Sequence, residues 1–90
     1  MTGSTPTLLL LHGLGATAQV WDPLIATAKW AGRVLAPDLR GHGSAGWDES
    51  YSFGGMASDV AELLEVDETY VVLGHSMGGG VGAALATGLF

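Results

Sequence analysis

The chain has no cysteine, which removes disulfides and thiolate metal sites from consideration. Basic residues are almost as scarce. Lys29, Arg33 and Arg40 face nine acids, for a net charge of −6, and without a basic stripe a nucleic-acid partner is not expected. No apolar run approaches the ~20 residues needed to span a bilayer, and the N-terminus "MTGSTP" lacks the charged region of a signal peptide. The expectation is a soluble, cytoplasmic protein without a membrane partner.

Glycine is what the sequence has in excess. Fifteen in ninety residues is more than twice the usual share of about 7%. They cluster at Gly13/Gly15, Gly41/Gly43/Gly46, Gly54/Gly55 and Gly74–Gly82, a distribution that marks turns and close backbone approaches. Between these clusters lie the regular elements. "TLLLLH", Thr7–His12, is a continuous apolar run of the kind found in strands buried on both faces. Apolar residues recur at helical spacing from Val20 to Ala31, with Pro23 placing the helix start near Asp22. Arg33–Pro37 reads as a second strand, followed by a polar, glycine-rich loop of about fifteen residues. Met56, Val60, Leu63 and Leu64 form the apolar stripe of a helix over Phe53–Glu65, its acidic face solvated. Thr69–Leu73 is a third strand and Met77–Leu89 a buried helix.

The order β-α-β-α-β-α argues a single α/β domain: a parallel three-stranded sheet with crossover helices on both faces. If the third strand pairs on the far side of the first, the spatial order is second, first, third, and right-handed crossovers put the first two helices on opposite faces. A crevice then opens at the carboxyl ends of the first and third strands, where open α/β sheets bind ligands. Gly13–Gly15 and Gly74–Gly78 meet there.

In "GHSMG", Gly74–Gly78, a serine sits between two glycines at a strand-to-helix turn. Such a turn is tight enough to strain the serine backbone and expose its hydroxyl at the sheet top. The amide of Met77, at the helix N-terminus, can then hold an oxyanion. The plainer alternative is that Ser76 caps the last helix. His75 points elsewhere on so sharp a turn and is expected to pack or bond within it rather than serve as the base.

Three motifs resemble the α/β-hydrolase family: "LLLHGLG" its strand ending in His-Gly, "APDLRGHGSA" its Asp-x-Arg-Gly-x-Gly-x-Ser loop, and "VLGHSMGG" its nucleophile elbow. They appear in the family's order across nearly all ninety residues. The resemblance implies that residues 1–90 form the N-terminal part of one α/β-hydrolase domain, an incomplete α/β-hydrolase fold ending after the elbow helix. It implies Ser76 as nucleophile and the amides of Leu14 and Met77 as oxyanion hole. His12 and Gly13 would support the oxyanion loop, Gly74 and Gly78 would shape the elbow, and Asp38, Arg40 and His42 would belong to a loop-stabilising network. The substrate would be a small ester-like molecule or a similar acyl or carbon–carbon compound, with no cofactor and no metal. A serine in place of an aspartate argues against haloalkane and epoxide substrates.

Two departures stand out. Only six residues precede the first strand, where the family usually has a hairpin. The family's acid and histidine follow the serine, yet Met77–Phe90 contain no Asp, Glu or His. The ninety residues alone are therefore expected to be inactive, and the third strand's apolar edge to invite self-association.

Two other readings compete. "GLGATA", Gly13–Ala18, fits a dinucleotide-binding fingerprint, with Asp38 twenty residues beyond Ala18 to take a ribose hydroxyl. His12 would crowd that cofactor and Pro23 starts the helix late, while no Lys-Ser or Lys-Thr supports a phosphate-binding P-loop. The remaining reading is a non-catalytic, truncated or degenerate hydrolase. His12 and His42 have no recognisable metal-ligand spacing. Trp21, Trp30 and Trp47 read as packing residues, Trp47 lying in the long loop near the site.

Overall fold

The computed structural model describes residues 5–46, 51–65 and 68–88. Trp47 and the end of the last predicted helix, Leu89, lie outside the described residues.

Strand β1, Thr7–Leu11, is buried at every position, as its unbroken apolar sequence requires. It sits in the middle of a parallel sheet ordered β2-β1-β3, with β2 at Val34–Leu35 and β3 at Tyr70–Gly74. Leu8 and Leu9 pair with Val34 and Leu35, while Thr7 through Leu11 pair with Tyr70 through Gly74. The expected order is thus found. The second strand is shorter than the expected Arg33–Pro37, because Pro37 has no N–H to donate and the Leu39 amide turns instead to His12.

Leu9 and Leu11 face helices α2, Phe53–Ala61, and α3, Met77–Thr87. Together with Leu39, Met56, Ala57, Val60, Val81 and Leu85 they form the core. Helix α2 begins at Ser52, whose hydroxyl accepts the Gly55 amide at 3.0 Å. It ends short of the expected Glu65. Leu63 and Leu64 bond to Val60 and Ala61 at i−3 spacing, which over-tightens the last turn and leaves Leu63 46% exposed, off the stripe assigned to it.

Leu8 and Leu10 point to the other face and are also buried. The first connection crosses there as a 3-10 turn, Ala18–Trp21, running into helix α1, Asp22–Ala28. Pro23 stands in the first turn of α1, as expected. Trp30 donates its indole N–H to the Pro6 carbonyl at 2.8 Å, tying the end of this connection to the entry of β1. This face is thinly covered. Helix α1 has no buried residue, and Val20, Leu24, Val71 and Leu73 are all exposed.

Candidate active site

The turn joining β3 to α3 is built by close packing of backbone. A Cβ at Gly78 would land on the Leu11 carbonyl, and one at Gly74 on the Gly78 carbonyl, so neither position admits a side chain. The His75 amide donates to the Leu11 carbonyl at 3.0 Å, pinning the turn to the end of β1. Ser76 between them takes φ 56°, ψ −114°, a region that L-residues rarely enter. Strain of this kind costs about 1–3 kcal/mol and concentrates at functional sites. Ser76 holds the N-cap position, yet its side chain makes no capping hydrogen bond and is exposed. Capping therefore does not account for it. In the first turn of α3 the Gly78 and Gly79 amides donate to the His75 and Ser76 carbonyls at 3.0 and 2.9 Å, whereas the Met77 amide, at the first helical position, has no intrahelical carbonyl to bond.

Opposite the elbow lies the loop after β1. His75 packs against it: a Cβ on Gly13 would sit 2.9 Å from His75 Nδ1 and 3.3 Å from the His75 carbonyl. The loop turns at Gly13–Ala16, with the Ala16 amide donating to the Gly13 carbonyl at 3.1 Å and Gly15 at φ 79°. Leu14 projects from it, 78% exposed.

A second loop, Asp38–Gly46, buttresses the first. The Asp38 carboxylate accepts the Ala18 amide at 2.7 Å through one oxygen and the Ser44 amide and hydroxyl, each at 2.9 Å, through the other. These donors, the Ala18 amide foremost and then Ser44, hold its pKa below the ordinary carboxylate value. Arg40 grips Asp59 of α2 with two bonds of 2.8 Å and donates to the Gly55 carbonyl at 3.1 Å. His12, wholly buried, and His42 each bond to backbone through both ring nitrogens, with ring centroids 5.0 Å apart. A cavity of ≈ 550 Å³ opens between the two loops and the elbow, its walls including Leu14, His42, Tyr51, Met56 and Met77.

This geometry leaves little for the dinucleotide reading. Both Asp38 oxygens are occupied by the chain's own donors, and the 13–18 loop leads into a 3-10 turn rather than a helix N-terminus. Among the described residues no group of three or more His, Cys, Asp or Glu is placed to hold a metal ion, and no helix is long and apolar enough to cross a membrane.

Residues 8–90 match the alpha/beta hydrolase family. The chain belongs to that family. Among solved structures of the family's fold, an esterase from a marine microorganism superposes with a TM-score of 0.82 at 29% identity, over 96% of this chain and 34% of that one. An esterase of Mycobacterium tuberculosis gives 0.79 at 35% identity, over 93% and 30%. A fluoroacetate dehalogenase of Burkholderia is 37% identical over 95 aligned positions, 93% of this chain and 30% of that enzyme. The chain spans only 26% to 32% of the lengths of curated relatives it matches.

Of the residues expected at the site, Leu14 and Met77 line one cavity, and Gly13 packs against His75, next to Ser76. His12, expected to support the first loop, and Asp38 and His42, expected in a loop-stabilising network, bond the two loops to each other. Arg40 ties the second loop to α2. Ser44 and Asp59, the partners of Asp38 and Arg40, went unassigned. Ser44 stood inside the quoted loop motif and could have been found there. Asp59 gave no signal, since it reads as an ordinary solvated residue on an amphipathic helix.

Proposed function

We propose that the chain supplies the nucleophile and oxyanion hole of a serine hydrolase acting on an ester or a similar acyl or carbon–carbon substrate. The observation that carries this reading is the strained backbone of Ser76 at a strand-to-helix turn, with its hydroxyl unused for capping. In the reaction Ser76 Oγ attacks the substrate carbonyl carbon, or helps activate a water that does. Its proton passes to a base, and the amides of Leu14 and Met77 receive the developing oxyanion. The apolar cavity beside them suits an uncharged substrate. Neither the esterases nor the dehalogenase determines which one. A cytoplasmic site of action is part of the proposal.

Residues 77–90 offer neither base nor acid, and triad members act as a unit. The ninety residues alone should therefore turn over p-nitrophenyl acetate negligibly and react slowly with a fluorophosphonate probe, the label falling on Ser76 and vanishing in Ser76→Ala. Rapid turnover insensitive to Ser76→Ala would end this reading. The free edge of β3 makes these residues prone to self-association, which size-exclusion chromatography would register as oligomers.

A further inference from the structure

We infer that His12 and His42 are positioning residues, a pair of uncharged latches of one tautomer that fix the peptide planes on both sides of Leu14. The inference rests on the oxyanion role proposed above for the Leu14 amide. At His42, Nε2 faces the Gly15 N–H at 3.0 Å and Nδ1 faces the Arg40 carbonyl at 2.9 Å. At His12, Nε2 faces the Leu39 N–H at 2.9 Å and Nδ1 faces the Gly13 carbonyl at 2.8 Å. A backbone N–H can only donate and a carbonyl can only accept. Each ring must therefore carry its proton on Nδ1 and leave Nε2 bare.

The consequence for Leu14 follows from peptide planarity. The Gly13 carbonyl and the Leu14 N–H belong to one rigid trans unit and point in opposite directions. By donating to that carbonyl, His12 sets where the Leu14 N–H aims. By accepting the Gly15 N–H, His42 holds the next plane. The arrangement is reciprocal: a histidine of the first loop holds an amide of the second, and a histidine of the second holds an amide of the first. An imidazolium would set N–H against N–H and undo either bond, and for His12 it would also bury a charge. The charged or titratable groups facing the pair are Asp38, engaged with Ala18 and Ser44; Arg40, turned to Asp59; His75, against Gly13; and Tyr51, across the cavity.

The test is hydrogen exchange at single amides, with His42→Gln and His42→Phe compared. A glutamine oxygen can accept the Gly15 N–H, whereas phenylalanine only fills space. Exchange at Gly15 should quicken about tenfold in His42→Phe, the scale of one lost hydrogen bond, and stay near wild type in His42→Gln. Exchange in β1 shows whether a variant has unfolded as a whole. In that event the ring ¹⁵N shifts of the wild type decide, since both imidazoles must be protonated on Nδ1. An Nε2-protonated ring at either position, or rescue by phenylalanine as complete as by glutamine, would overturn the inference. None of these readouts involves Ser76, so a failed nucleophile assignment would show separately as unchanged probe labelling in Ser76→Ala.

Discussion

The crevice has two walls held by different physics. The elbow wall is steric: glycines at 74 and 78 let backbone touch backbone, and Ser76 is forced into a conformation it would not choose. The opposite wall is polar: its two loops are joined by Asp38, His12 and His42, whose bonds span up to twenty-seven residues of sequence. A steric wall fails when a single atom is added. A polar wall fails gradually, one donor or acceptor at a time.

The largest effect should come from adding that atom. Gly78→Ala places a methyl group on the end of β1 and should cost about 3 kcal/mol or more, enough to abolish a cooperative urea transition. Unchanged stability would mean the elbow is looser than described. Asp38→Ala strips acceptors from Ala18 and Ser44 and should cost about 2 kcal/mol by the same measurement. Because its folded pKa is depressed, the Asp38 contribution is complete above the unfolded carboxylate pKa and is lost as pH falls through the folded value. Asp38→Asn should accordingly flatten the acid side of the stability profile.

Much of this was legible in the sequence, and the reason differs between the walls. The elbow is local, so five consecutive residues carry nearly all of its geometry. The strand order followed from the alternation of elements, given a third strand that pairs on the far side of the first, and the handedness of crossovers then set the helix faces. The polar wall's members were recognisable through their motifs, but not their bonds. Arg40 meets Asp59 across nineteen residues, and Arg33 meets Glu68 across thirty-five, contacts that only folding brings about. Element ends escaped for a similar reason: hydrophobic spacing ran on past Ala61 while the helix tightened and stopped.

Smaller effects sharpen the contrast. Ser76→Gly should be more stable than Ser76→Ala by about 1 kcal/mol, since glycine enters that backbone region freely. A difference near zero would mean little strain is stored at Ser76. Ser44→Ala removes one hydroxyl from the polar wall while keeping the amide bond to Asp38, and should shift the urea midpoint by no more than about 0.5 kcal/mol.

The placement of α3 gives the sheet a direction of growth. Helices α2 and α3 lie side by side over Leu9 and Leu11, and the step from β2 through α2 already carried the chain across β1 to β3. A right-handed return from the end of α3, over the same face, can only continue outward. Any parallel strand reached that way would lie beyond β3, on the edge away from β1. Growth from α3 is thus directed past β3, and the strained serine stands at that advancing front.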